Sequence, residues 1–257
     1  MAKEDLFQLL VEKHRHISWY DHHAPSLNGR EFLGRFCSRV ALASNKCAAK
    51  LVALDHAPHD EYSLFLAQIG QVHDFQRGKS HLMPKALQLQ DIIASGYDLP
   101  TLVQDLASGK AWHTGNLKKK YQVVLTKFNE RKIQAYSSLE QSIEHTTIAG
   151  FNVAFALSPA CLYMKLAPTY LNEKRNMCYG QTDVFVIFYE GIQNVIIQGY
   201  NQVGALVPAF CISQQGGGRG HMGGFLLPHF PSAATYTADT LEIKQRLEVF
   251  LTHSDAA

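Results

Sequence analysis

Apolar residues recur at three- and four-residue intervals through most of the first half of the chain, then alternate or run together through most of the second. The pattern therefore predicts helices first and strands later. From Glu4 to His14, Leu6, Phe7, Leu10 and Val11 form one stripe of a short helix. That helix feeds directly into a strand at Ile17–Tyr20, an αβ unit. Phe32 to Leu54, with Ala41, Ala43, Ala48 and Ala49, is expected to be a second helix packed closely on a sheet, with Cys37 and Cys47 as buried fillers. Asp60 is placed to cap a third helix that carries Tyr62, Phe65, Leu66, Ile69 and Val72 and ends at His73-Asp74. Two short helices broken at Gly96 and Pro100 fill Pro84 to Leu106. One long, mostly polar helix then runs from Leu117 to Gln141 on a narrow seam of Val123, Val124, Phe128, Ile133 and Tyr136.

Past that helix, β-branched and aromatic residues dominate. Phe151–Leu157 is expected to be a strand, and Asp183–Glu190 with Gln193–Tyr200 a hairpin turning at Gly191. Pro159 to Asn172 is expected to be helical, followed later by a strand at Gly223–Leu227 and a C-terminal helix at Thr240–Leu251. The organisation predicted is an α/β domain over 1–112, a connecting helix over 113–142 and a smaller α+β domain over 143–257. The first is expected to hold an incomplete parallel sheet flanked by helices, the second a small mixed sheet with helices on one side.

Composition narrows the classes. In 257 residues, 46% hydrophobic content supplies a proper core. The formal net charge of +2 argues for neither a nucleic-acid coat nor a membrane surface. Five cysteines without a CxxC spacing fit neither a disulfide framework nor a zinc ribbon. The N-terminus has no apolar leader core and no apolar run reaches about 18 residues, so a cytoplasmic protein is expected. The 13 histidines are more than a chain of this length usually carries, and they raise a functional question.

Three clusters carry candidate chemistry. Asp21-His22-His23 ends the first apolar strand, and ligand crevices of open α/β sheets lie at such carboxyl ends. One carboxylate and two imidazoles suit a borderline-hard divalent cation such as manganese better than a soft metal. His73-Asp74 closes the third helix, and Asp55, His56, His59 and Asp60 precede that helix in what reads as a solvated loop. Of these carboxylates Asp74 is the better candidate to complete a metal site. Finally, Gly216-Gly217-Gly218-Arg219-Gly220-His221-Met222-Gly223-Gly224 packs six glycines into nine residues around a guanidinium and an imidazole. Such backbone can approach an anion closely, although the run is neither a Walker A loop nor a Rossmann fingerprint.

Taken together, these residues resemble the DHH phosphoesterase family with a C-terminal DHHA1 domain. The strand with Asp21-His22-His23 is similar to that family's third motif, Asp74 within IGQVHDF to its fourth, and GGGRGHMGGF to the DHHA1 signature GGGxHxxAAGF. The resemblance implies a manganese-dependent phosphohydrolase acting on phosphodiesters or phosphoanhydrides of nucleotides or short oligonucleotides. Asp21 and His23 would be metal ligands, His22 a stabiliser of phosphate oxygens, and Asp74 a second-metal or orienting carboxylate. Gly216, Gly217, Gly218, Arg219 and His221 would hold substrate from the opposite wall of an interdomain cleft. The family's first two motifs, an HxDxDG-like strand and a strand-end Asp, have no counterpart among the 20 residues before Asp21. Gln198-Gly199-Tyr200 stands where the DHHA1 hairpin often carries a substrate-binding Arg. The alternative implied is a catalytically degenerate relative that binds nucleotide or phosphate without turnover. Partners expected are a phosphate-containing small molecule or short oligonucleotide, with no membrane. A homodimer is the candidate assembly, and a third alternative, a remnant whose missing strands leave a sheet edge exposed, would be expected to associate with another chain.

Overall fold

A computed structural model describes residues 3–14, 16–23, 26, 28–75, 80–113, 116–162, 166–178 and 182–254. Ala24 and Pro25, which close the first candidate motif in sequence, lie outside them. The chain divides into two compact units, Met1–Leu125 and Thr126–Ala257.

In the first unit, α1 (Lys3–Lys13) leads into β1 (Ser18–Asp21), as its stripe of apolar residues requires. Phe7 of α1 meets Trp19 of β1 at 5.6 Å between ring centroids, and meets Phe32 and Phe36 of α2 (Arg30–Phe36) at 5.4 and 5.5 Å. This aromatic group fixes both helices on the strand. After α2 comes β2 (Arg39–Leu42), which pairs parallel with β1 in the register Ser18↔Arg39 through Asp21↔Leu42. The segment Phe32–Leu54 is thus not one helix. It is α2, the strand β2 and α3 (Ala48–His56), a correction with a local cause. Arg39-Val40-Ala41-Leu42 has no period long enough to separate helix from strand, and pairing with β1 decides it.

Helix α4 (Glu61–Phe75) starts under Asp60, whose Oδ2 accepts from Ser63 N at 2.7 Å. Next come α5 (Met83–Ala94) and α6 (Leu99–Ala107). Gly96 takes φ +77° between them, while Pro100 lies in the first turn of α6 rather than breaking it. The short pair β3 (Trp112–His113) and β4 (Asn116–Leu117) precedes α7 (Lys119–Gln141). Ile69, Ile92, Leu102, Trp112, Leu117 and Tyr121 form the core of these helices.

The second unit is built on a six-stranded sheet in the order β5 (Glu144–Ile148), β6 (Phe151–Ser158), β7 (Val184–Tyr189), β8 (Ile192–Gly199), β10 (Met222–Leu226), β9 (Gly217–Arg219). Only β6 and β7 run parallel, joined through a 3-10 turn (Ala160–Leu162) and α8 (Leu166–Cys178). Gly191, at φ +70°, makes the β7–β8 turn. All six residues of β7 are buried because helices cover both sheet faces. On one, Val186, Phe188 and Ile197 pack with Phe210 of α9 (Val207–Ser213) and with Ile243 and Leu247 of α10 (Tyr236–His253). On the other, Ala154, Phe185 and Ile187 pack with Ala135 and Leu139 of α7 and Leu171 of α8. Helices on one side only, as the sequence suggested, would leave Phe185, Ile187 and Tyr189 in water. The fold is mixed α/β with its larger sheet in the second unit, not a smaller appendage. No helix of the described residues is long and apolar enough to cross a membrane.

Candidate functional site

Strand β1 delivers Asp21 at its carboxyl end, and the chain leaves the strand directly into His22 and His23. Asp21 Oδ1 accepts from His22 N at 2.7 Å, from His23 N at 3.2 Å and from His23 Nδ1 at 2.6 Å. Ser26 Oγ donates to the other oxygen, Oδ2, and accepts in turn from Trp19 Nε1 at 3.3 Å. Partial burial works to raise the Asp21 carboxyl. The hydrogen bonds from Ser26, His23 and the two backbone N–H groups outweigh it and hold the group far below the usual carboxylate range. Asp21 is therefore a standing negative charge.

The two imidazoles differ. His23 is well exposed, whereas His22 is mostly covered, its ring 4.1 Å from that of His23 and edge-on to Phe75 at 5.2 Å. His22 Nδ1 is buried without a hydrogen-bond partner, 4.0 Å from Asp21 Oδ1. One ligand atom from each of Asp21, His22 and His23 lies within 4.8 Å of the others. A carboxylate, two imidazoles and an orphaned buried ring nitrogen fit a hard-to-borderline divalent cation. Among the described residues the group stops at these three. Asp74 ends α4 beside Phe75 but outside the group; its Oδ1 is 3.4 Å from His73 Nδ1, and His73 Nε2 is 2.7 Å from Gln90 Oε1.

Asp55 and His56 are not loop residues: both belong to α3. The Asp55 carboxylate is largely buried, receives the Tyr20 hydroxyl and pairs with Arg39, while His56 Nε2 is 2.8 Å from Tyr20 Oη. Tyr20 and Arg39 lie on β1 and β2, so this cluster ties the two strands to α3 and holds the strand end that presents Asp21. His59 and Asp60 do lie between helices.

In the second unit, Gly216 to Phe225 folds as the β9–β10 hairpin, with Gly220 at φ +63° in its turn. The glycines here mainly serve packing, a reading the sequence did not give. A Cβ at Gly218 would lie 2.8 Å from Pro208 Cα, one at Gly223 2.7 Å from Cys211 Sγ, and one at Gly216 2.1 Å from Gly224 O. The hairpin thus lies flush against α9. Gly217 differs, because a Cβ there would meet nothing within 4 Å. Arg219 and His221 are exposed; His221 Nδ1 stands over Gly204, and its carbonyl accepts from Gly199 N at 2.8 Å.

Sequence reasoning missed Ser26, Tyr20 and Arg39. Ser26 reaches Asp21 only because the chain turns back beyond the strand, and Arg39 reaches Asp55 only through the β1–β2 register. No local signal marks either.

No protein-family model and no curated protein sequence matches the chain. Among solved structures it is similar to one described as the DHH domain of a member of the s1p family of ribosomal proteins. That likeness has a TM-score of 0.55 at 13% identity, over 96% of this chain and 65% of that one. The chain thus spans about two thirds of that neighbour's length. A second similarity, to an uncharacterized protein from Helicobacter pylori, has a TM-score of 0.25 at 15% identity, over 91% and 74% of the two chains. The mixed α/β architecture, with its six-stranded sheet flanked by helices, is consistent with a DHH-like fold.

Proposed function

We propose that this chain is a DHH-type phosphoesterase that uses a divalent cation, manganese first among candidates, to hydrolyse phosphodiester or phosphoanhydride bonds in nucleotides or short oligonucleotides. The observation that carries this reading is the Asp21-His22-His23 group, gathered within 4.8 Å at the carboxyl end of a parallel strand and built around a carboxylate kept ionised. Asp21 and His23 would hold the cation, and Ser26 orients Asp21 through Oδ2. His22, with its ring nitrogen unpartnered, stands ready for the cation or a phosphate oxygen. A bound cation supplies Lewis-acid polarisation of the phosphoryl group. Asp74 would be a second-metal or orienting carboxylate. Gly217, Gly218, Arg219 and His221 would bind substrate phosphates through backbone N–H groups, a guanidinium and an imidazole, with Gly216, whose own N–H donates to Cys211 O at 2.9 Å, shaping the start of the run.

A second reading, a nucleotide- or phosphate-binding relative without turnover, is favoured by one feature: the ligand group stops at three among the described residues, with Asp74 outside it. Manganese titration by calorimetry, run beside hydrolysis of bis(p-nitrophenyl) phosphate and a short oligonucleotide, separates the two. The enzyme reading expects manganese binding and turnover, both lost in Asp21→Ala. Turnover unchanged by Asp21→Ala overturns it, and ligand binding without turnover establishes the second reading.

A further inference from the structure

Helix α4 carries one stripe of residues that converges on Cys47, the N-cap of α3. Ala67, Gly70, Gln71 and Asp74 recur at the three- and four-residue spacing that puts them on one helix face. Cys47 Sγ lies 3.9 Å from Ala67 O, and a Cβ at Gly70 would lie 3.6 Å from the same sulfur. Gln71 Oε1 accepts from Cys47 N at 2.8 Å, while its Nε2 donates to Asn45 O at 2.9 Å. Burial pushes the Cys47 thiol up, and the charge of Asp74 adds to that push against the Lys50 N–H that donates to the sulfur. Asp74 therefore faces the same loop as Gln71, one turn further along the helix.

That loop is the one that starts beside the candidate cation group. Strand β2 ends at Leu42, in register with Asp21, and Ala43 N donates to Asp21 O at 3.3 Å. Residues 43–47 thus begin against Asp21 and end against α4. The last turn of α4 is fastened to the group a second time through Phe75, whose ring meets that of His22 at 5.2 Å. Asp74 lies between these two fastenings. Gln71 is buried, with both ends of its amide engaged by loop backbone. A buried amide satisfied in this way fixes the main chain it holds relative to its own helix. An apolar residue of similar size would fill the space without doing so.

We infer that Gln71 is a positioning residue for the candidate cation centre: by clamping residues 45 and 47 it holds the Asp74 carboxylate toward the cation that Asp21, His22 and His23 would bind. The inference deepens the proposed function and rests on its reading of Asp21-His22-His23 as a divalent-cation group. Asp74 adds negative charge to that centre from α4. Partners that orient the groups around a metal typically change its affinity about ten- to a hundredfold when they are lost.

The test titrates the full chain with manganese alone, by calorimetry. Gln71→Met fills the same space without an amide and is expected to weaken manganese binding about tenfold. Gln71→Asn keeps the amide but stops one methylene short of the loop, and should lose about as much, so the result does not hang on the folding of one variant. Asp74→Asn should lose affinity too, and its combination with Gln71→Met should lose no more than Asp74→Asn alone, since Gln71 acts through Asp74. Tyr121→Phe removes a hydroxyl bond to Asp105 at 2.7 Å in the same unit; it controls for general destabilisation and should bind manganese as the wild type does. Hydrogen exchange at the Cys47 amide, faster in both Gln71 variants, reports the loosened loop without metal. Unchanged manganese affinity in Gln71→Met, full additivity in the double variant, or an equal loss in Tyr121→Phe overturns the inference and leaves the cation reading in place. A wild type that binds no manganese overturns both. Manganese binding without turnover, with the Gln71 losses as stated, supports the inference and removes only the enzyme reading.

Discussion

Replacing Ser26 by Ala probes the device that keeps Asp21 charged. Ser26 is one of four donors to that carboxylate, with His23 Nδ1 and the backbone N–H groups of His22 and His23. A hydrogen bond to a charged group contributes about 1.5–3 kcal/mol net. With the Asp21 side chain 18% exposed, water replaces part of what is lost, so the low end, about 1.5 kcal/mol, is expected. Both tryptophans of the chain, Trp19 and Trp112, lie in the first unit, so their fluorescence during urea unfolding follows the unit that holds Asp21. At a slope of roughly 1–3 kcal/mol per molar, the midpoint at pH 7 should fall by about 0.5–1.5 M.

Dependence on pH supplies the sharper check. The folded-state pKa of Asp21 is depressed, so its stabilisation is fully present above the unfolded value of about 3.9 and is lost as pH falls through the folded pKa. Without Ser26 the folded pKa rises toward the unfolded one, and the variant has less to lose in acid. The gap between wild type and Ser26→Ala should therefore stay constant from pH 7 to about 5 and narrow below about 4. Trp19→Phe serves as the control for the indole left without its acceptor. No midpoint shift at pH 7, or a gap that widens in acid, refutes the reasoning.

Three other substitutions test the second unit. Gly223→Ala places a methyl group 2.7 Å from Cys211 Sγ and should cost about 1–3 kcal/mol, whereas Gly217→Ala, facing open space, should stay within about 0.5 kcal/mol in thermal or urea unfolding. Equal costs would contradict the packing account of the hairpin. His229→Ala takes away the imidazole bonded to the buried Asp239 at 2.7 Å, leaving Thr235 as its remaining side-chain donor, and should destabilise by about 1–3 kcal/mol. A neutral result in circular dichroism melts would show that the pair contributes nothing net.

What could be read from the sequence followed the range of the interaction concerned. The helices at Lys3–Lys13 and Glu61–Phe75 and the β7–β8 hairpin were legible because their periodicity, cap and turn glycine act within a few residues. Strand β2 was not, since only its partner β1 distinguishes Arg39–Leu42 from the helices on either side. Strand β5 was missed for a related reason: Glu144-His145-Thr146-Thr147 is a polar edge strand, paired on one side and showing little hydrophobic alternation. Consecutive residues made Asp21-His22-His23 visible as a cluster. Ser26, which holds Asp21, and Asp55, which holds Tyr20, could be found only through tertiary contacts. The glycine-rich run was conspicuous in sequence, but its main cause, contact with α9, was not, because the helix it touches has no motif.

Where His221 stands depends on a residue with no side chain. A Cβ at position 204 would lie 2.5 Å from His221 Nδ1, so the exposed imidazole rests in space that exists only because residue 204 ends at its Cα. Gly204 is in this sense a remote control for His221. A single methyl group added there would press hardest on the ring, at 2.5 Å, and more lightly on Gly199 C and O, at 3.1 and 3.2 Å, so the exposed ring is the part that swings aside while its chemistry is unchanged. That makes orientation and identity separable variables at one site, an opportunity that substitution of His221 itself cannot offer.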